Sequence, residues 1–218
     1  MSARDEVLSR IRAAVGANAG APPGGDSLAA GTSGEVPRDY RIRREASEGE
    51  LIDLLADRLV GYRATVRRTS QAELAAAIRE ALTQRRARRV VVPPGLDLPA
   101  LPPGVQAVAD DGFSAQELDG FDGAITAAAV AVAETGTIIL DGSADQGRRA
   151  ITLVPDYHLC IVRADQVVAL VPEAIRRLRP DRPLTLISGP SATSDIELER
   201  VEGVHGPRTL HVILVDAS

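Results

Sequence analysis

Residues 123–140, GAITAAAVAVAETGTIIL, decide the fold, because their composition admits both a helix and strands. Residues 127–133 carry alanine's helix propensity, yet Thr126, Val130 and Val132 alternate as strand residues do. The alternation and the β-branched side chains select strands. Glu134, Thr135 and Gly136 then form a tight connection into a further strand over residues 137–140.

Working upstream, Ser47 and Glu50 form a capping-box pattern, and Leu51, Leu54, Leu55 and Leu59 give one apolar helix face that stops at Gly61. A strand follows at residues 64–67. Ser70 and Glu73 repeat the capping-box spacing ahead of a helix with Leu74, Ala77, Ile78, Ala81 and Leu82 inward. The basic run at 84–89 falls where that helix ends, complementing the negative end of its dipole. Residues 90–92 are a short apolar strand stopped by Pro93, Pro94 and Gly95, and such runs belong in sheets covered on both faces. A strand at 105–108 and a helical turn capped by Ser114 and Glu117 complete this half.

Working downstream, Asp141, Gly142, Ser143 and Gly147 make a polar loop that carries Arg148 and Arg149. A strand spans 158–162, and Pro172 opens a helix reaching residue 178, with Arg176, Arg177 and Arg179 at its end. An apolar run, 184–187, delivers the chain into SGPSATSDIELERVEGVHGP at 188–207, and residues 210–215 close the sheet. The rhythm is that of an α/β protein with a mostly parallel doubly wound sheet flanked by helices. Residues 1–15 read as an amphipathic helix, 16–36 as a Gly-, Ala-, Pro- and Ser-rich flexible linker, and 37–218 as the α/β domain. Arg41, Arg43 and Arg44, interrupted by Ile42 and followed by acidic residues, read as a solvated edge.

Composition narrows the function. The net charge of −5 and the absence of aromatics among the arginines argue against nucleic-acid binding. No apolar run approaches the ~20 residues of a membrane span, and residues 1–12 hold no apolar signal core, so the expectation is a cytoplasmic protein. Cys160 is the only cysteine, which leaves no intrachain disulfide and no thiolate-ligated cluster from this chain alone. All 25 basic residues are arginine. With no lysine, Schiff-base chemistry and a Walker-type phosphate loop are excluded, and any cation that holds an anionic ligand is an arginine, whose fork suits carboxylate or phosphate.

In open α/β sheets, ligands collect beyond the carboxyl ends of strands. Three polar loops follow strands in that sense, and their convergence on one rim is expected to form an anion-binding crevice. The first supplies Thr135, Gly136 and Thr137; the second Gly142, Ser143, Arg148 and Arg149; the third Ser188, Gly189, Ser191, Thr193, Ser194 and Asp195, with Glu202 further on. The alternative is that each loop's polar residues only cap strands and turns. His205, three residues after Glu202 and between turn signals, is a candidate general base; His158 and His211, inside strands, read as core or edge histidines. No His pair has metal-ligand spacing, so no metal is expected, and neither G-x-S-x-G nor G-x-G-x-x-G occurs.

AETGTIILDGS at 133–143, QGRRAITLVPDYH at 146–158 and the 188–207 stretch together resemble the lactate utilisation protein C family (LutC/YkgG, the LUD domain), closely in the second half of the chain and in element order in the first. The resemblance implies a fold like ribose-5-phosphate isomerase, glucosamine-6-phosphate deaminase and the CoA transferases. It implies an accessory role in L-lactate oxidation beside two iron-sulfur partner proteins, with no cofactor of the chain's own. A small carboxylate or phosphate ligand and a homo-oligomer are compatible with it. Because CoA transferases of the related fold use a glutamate nucleophile, Glu134 is the candidate for a second reading: a free-standing enzyme acting on a CoA ester or a sugar phosphate. A regulatory module sensing a carboxylate is a third.

Overall fold

The computed structural model describes residues 4, 6–10, 13, 39–193, 201–202 and 206–216, with backbone only at 192, 193, 201 and 202. The chain divides into two compact units, Met1–Tyr40 and Arg41–Ser218. In the first, the described residues 4, 6–10 and 13 are helical, and Arg10 pairs with Glu6 one turn earlier at 2.6 Å. The expected linker, 16–36, lies outside the described residues.

The second unit opens with α1 (Glu48–Gly61), where Ser47 and Glu50 close the expected capping box: the Ser47 hydroxyl accepts from Glu50 N–H at 3.3 Å and the Glu50 carboxylate accepts from Ser47 N–H at 2.8 Å. After β1 (Thr65–Thr69), the box expected at Ser70 does not form. A 3-10 turn, Gln71–Glu73, precedes α2 (Leu74–Arg85), and Glu73 N–H is already taken by the Ser70 carbonyl at 3.1 Å. The Ser70 hydroxyl therefore donates to the Glu73 carboxylate instead. Then come β2 (Arg89–Val92), β3 (Gln106–Ala109), the boxed helix α3 (Ala115–Asp119), β4 (Gly123–Ala127), β5 (Val130–Val132) and β6 (Thr137–Leu140). The chain continues through β7 (Tyr157–Arg163), β8 (Val167–Val168), α4 (Val171–Arg177), β9 (Thr185–Ile187), β10 (Ala192–Thr193), β11 (Val201–Glu202) and β12 (Thr209–Val215).

Strands occupy both ends of the ambiguous 123–140 stretch, but in two sheets rather than one. A six-stranded, wholly parallel sheet has the order β1-β12-β7-β4-β2-β3. A smaller mixed sheet has the order β8-β5-β6-β9, with β6 antiparallel to both β5 and β9. The last strand, expected to close the sheet, is inserted between β1 and β7.

Side-chain alternation sorts the layers. From β7, Leu159 and Ile161 join Ala77, Ile78 and Leu82 of α2 on one face of the parallel sheet, while Cys160 and Val162 join Ile52, Leu55 and Leu59 of α1 on the other. That second face also receives Ala131 and Ile138 from the mixed sheet. The opposite side of the mixed sheet, Val130, Val132 and Ile139, is covered by Ala174 of α4. Helices thus flank the parallel sheet on both faces, and the mixed sheet adds an outer layer on one.

Candidate functional site

The three polar loops follow β5, β6 and β9, all strands of the mixed sheet. Because β6 runs against both neighbours, its carboxyl end points opposite to theirs. The 134–136 turn and the 188–191 segment therefore meet at one end of this sheet, and the 141–149 loop leaves from the other. The expected single rim is corrected on this point, and antiparallel pairing is the cause.

A trough nevertheless connects two of the loops along β9. One cavity of about 490 Å³ is lined by Asp110, Gly142, Ser143, Gln146, Arg148 and Arg149 with Pro94, Pro183 and others; a second of about 480 Å³ is lined by His158, Leu184, Ser188, Gly189, Ser191 and Pro207 with others. They share Arg149, Thr152 and Thr185. The shared wall exists because the 3-10 turn Arg149–Thr152 carries the chain back past β9 on its way to β7.

The two loop arginines differ. Arg148 forks onto Asp110 at the end of β3, at 2.6 and 2.8 Å, and also donates to the Phe113 carbonyl. This pair holds the Asp110 carboxyl below its ordinary range, with an amide bond from Gly112 adding to it. Arg149 is exposed and has no carboxylate partner among the described residues. Nearby, Ser143 donates through its amide at 3.0 Å and its hydroxyl at 2.5 Å to Asp141, and Arg182 reaches both Asp141 and Ser143. Burial opposes ionisation of Asp141, but the Ser143 bonds and Arg182 outweigh it and its pKa is lowered. Gln146 accepts the Asp141 amide at 2.6 Å, so this end of the trough is rigid.

At the other end, Thr135, Thr137 and Ser188 form a hydroxyl chain with links of 2.8 and 2.9 Å. Gly136 and Gly189 both have positive φ, +62° and +115°, and both press on Tyr62 beyond α1. Glu134 turns away: it is ion-paired with Arg41 at 2.6 Å and lines neither cavity. Thr193 and Glu202 are placed as backbone in the β10–β11 hairpin, while Ser194, Asp195 and His205 lie outside the described residues.

His158 reads from sequence as a core histidine, and it is fully buried, sharing a 2.8 Å hydrogen bond with Thr126; it also lines the second cavity. Burial pushes its pKa down to about 4, so it is neutral at ordinary pH and Arg149 remains the cation of the junction. Asp110, Gln146, Thr152, Arg182 and Thr185 were not among the expected site residues. Gln146 and Thr152 lie within the quoted 146–158 motif and bond locally, to Asp141 and Arg149, whereas Asp110 and Arg182 are brought in only by long-range pairs with Arg148 and Asp141. Among the described residues no cluster of three or more His, Cys, Asp or Glu has the geometry to hold a metal, and no helix is long and apolar enough to cross a membrane.

Fold and trough together define an α/β protein in which a four-stranded mixed sheet, beside the six-stranded parallel sheet and the β10–β11 pair, carries an open, ligand-sized hollow along its edge strand β9. The chain belongs to the LUD domain family, whose model matches residues 104–215. It is 49% identical over 191 residues to lactate utilization protein C of Deinococcus radiodurans, covering 85% of this chain and 89% of that one. It is 28% identical to lactate utilization protein C of Shouchella clausii, over 83% and 86% of the two chains. A crystal structure of a DUF162 family protein from Deinococcus radiodurans superposes with a TM-score of 0.68 at 43% identity, over 78% of this chain and 99% of that one. The likeness thus reaches well beyond the second half of the chain, where the quoted motifs lie.

Proposed function

We propose that this chain acts in L-lactate utilisation as an accessory subunit, beside iron-sulfur partner proteins, with no redox centre of its own and with the trough along β9 as a site for a small carboxylate. The pathway assignment is supported by relatives named for lactate utilisation that align over most of both chains. The lack of an own cluster is supported by the single, fully buried cysteine. The observation that carries the ligand class is Arg149, a cation shared by both cavities and unspent on any carboxylate among the described residues.

In this reading Arg149 supplies charge-assisted hydrogen bonds to the carboxylate. Thr152 and Thr185 line the junction, and Leu153, Leu184 and Leu210 give the second cavity an apolar wall for the rest of the ligand. Glu134, held by Arg41 outside both cavities, lends no support to the enzyme reading that would use it as a nucleophile.

Thermal unfolding with L-lactate, pyruvate, CoA and ribose 5-phosphate tests the site. A ligand at a hundredfold excess over its Kd stabilises by about 2.7 kcal/mol. The expected result is a rise in Tm with a small carboxylate that is lost in Arg149→Gln, whose own Tm is unchanged because Arg149 is exposed. A shift equal in both proteins, or none with any anion, overturns the site. Oxidation of lactate by the isolated chain with an artificial acceptor overturns the accessory role.

A further inference from the structure

Two arginine groups that look unrelated in sequence meet on one face of the second unit. Arg43 and Arg44, in the segment before α1, and Arg176 and Arg177, in the last turn of α4, line a further cavity of about 460 Å³ with Leu51, Val167, Val168 and Ala169. Arg44 N–H donates to Glu173 at 3.3 Å, which ties the two segments together.

Several arginines elsewhere are paired with carboxylates: Arg68 with Asp53 and Asp216, Arg85 and Arg208 with Asp156, Arg163 with Asp165, Arg179 with Asp181. The four arginines of this cavity have no such partner among the described residues. Arg176 and Arg177 reach only main-chain carbonyls, of Ile42 at 3.5 Å and Asp165 at 2.8 Å. Glu173 is the single carboxylate in the lining, and it is spent on the amides of Arg44, Ala169 and Leu170. Arg44 also helps to lower the pKa of Glu50, a contribution smaller than that of the Ser47 hydrogen bonds.

Beside these arginines Ile42, whose carbonyl Arg176 reaches, is an exposed aliphatic side chain, 48% exposed. Arginines without a carboxylate partner, beside an exposed aliphatic side chain, suit a protein interface, where arginine is enriched. No aromatic residue lines the cavity to stack a base, and all four guanidinium groups are exposed. On a chain of net charge −5 this patch is a local reversal of sign. It attracts an acidic segment through charge complementarity.

We propose that this face docks an acidic segment of a partner polypeptide, with carboxylates on Arg43, Arg44, Arg176 and Arg177 and an aliphatic side chain on Ile42. The proposal does not depend on what occupies the trough along β9.

The test uses the full chain and a fluorescein-labelled peptide of glutamates interleaved with leucines, read by fluorescence anisotropy. The expected result is binding that weakens as salt is raised and falls about tenfold or more in Arg176→Glu/Arg177→Glu and in Arg43→Glu/Arg44→Glu, the scale of losing two charge-assisted contacts. Arg179→Glu, which disrupts a pair outside the cavity, serves as the control and retains binding. Arg176→Gln/Arg177→Gln removes the charges without reversing them and also weakens binding, and an unchanged Tm in these variants separates loss of charge from loss of fold. Four results overturn the proposal: no binding by the wild type, equal loss in the Arg179→Glu control, competition by inorganic pyrophosphate or a single-stranded oligonucleotide at lower concentration than by unlabelled peptide, or binding that appears only after residues 1–36 are removed.

Discussion

Acidification should destabilise this protein through His158 in a window of pH well above that of its carboxylates. The imidazole is fully buried and its pKa falls from 6.5 to about 4 on folding. The unfolded chain therefore binds a proton that the folded chain refuses, and the stability that the neutral imidazole confers is present above pH 6.5 and lost as pH falls toward 4. For that pair of values the loss between pH 7.5 and pH 4.5 is about 2–3 kcal/mol. Asp110, Asp141 and Asp156 are all shifted down from 3.8, so their contributions disappear mainly below this window. His211 is shifted down too, first by burial and then by Arg67, and adds to the slope. The assay is urea unfolding at several pH values for the wild type and His158→Gln, whose amide can replace the bond to Thr126. His211 and the carboxylates act alike in both proteins and cancel in the difference. The difference should change by about 2–3 kcal/mol against the wild type, which alone must protonate a buried ring. Parallel curves for the two proteins would refute the reasoning, because they would place His158 in contact with water or already charged in the fold.

Other consequences follow from single contacts. Gly136→Ala puts a methyl group on a residue with φ of +62° and within 2.6 Å of the Arg58 Cβ, so urea unfolding should show a loss of about 2–4 kcal/mol; a loss below about 0.5 kcal/mol would mean that the turn relaxes freely. Asp110→Asn leaves the Arg148 fork without its carboxylate. Asp110 is 5% exposed but Arg148 is 40% exposed, so solvent discounts the cost to about 1–2 kcal/mol in equilibrium unfolding, and an unchanged midpoint would mean that the pair contributes nothing. Cys160 is fully buried and its thiol is pushed up to about 12, so iodoacetamide should label the native protein at neutral pH only as fast as it unfolds. Rapid stoichiometric labelling of the folded chain would contradict that burial.

What the sequence determined by itself is local. Ser47 with Glu50, and Ser114 with Glu117, specify helix starts because both partners of each capping box lie within one turn. The alternation through Thr126, Val130 and Val132 specifies strands because side chains in a strand switch face at every residue. Even the turn at Glu134, Thr135 and Gly136 is written into neighbouring residues.

Tertiary structure alone decided how those strands were shared out. Pairing between segments far apart leaves no periodic trace, so nothing nearby announces that Thr209–Val215 inserts between β1 and β7, or that residues 130–140 leave the parallel sheet for a second one. That partition governs the site. With β6 antiparallel to β5 and β9, Glu134 and Asp141 are sent to opposite ends of one small sheet, and Arg149 comes to line one cavity with Ser188 only through the three-dimensional course of the chain. The meeting of Arg43 and Arg44 with Arg176 and Arg177 has the same origin: in sequence the first pair reads as a solvated edge and the second as the cationic end of a helix, and proximity in the fold brings them to one cavity.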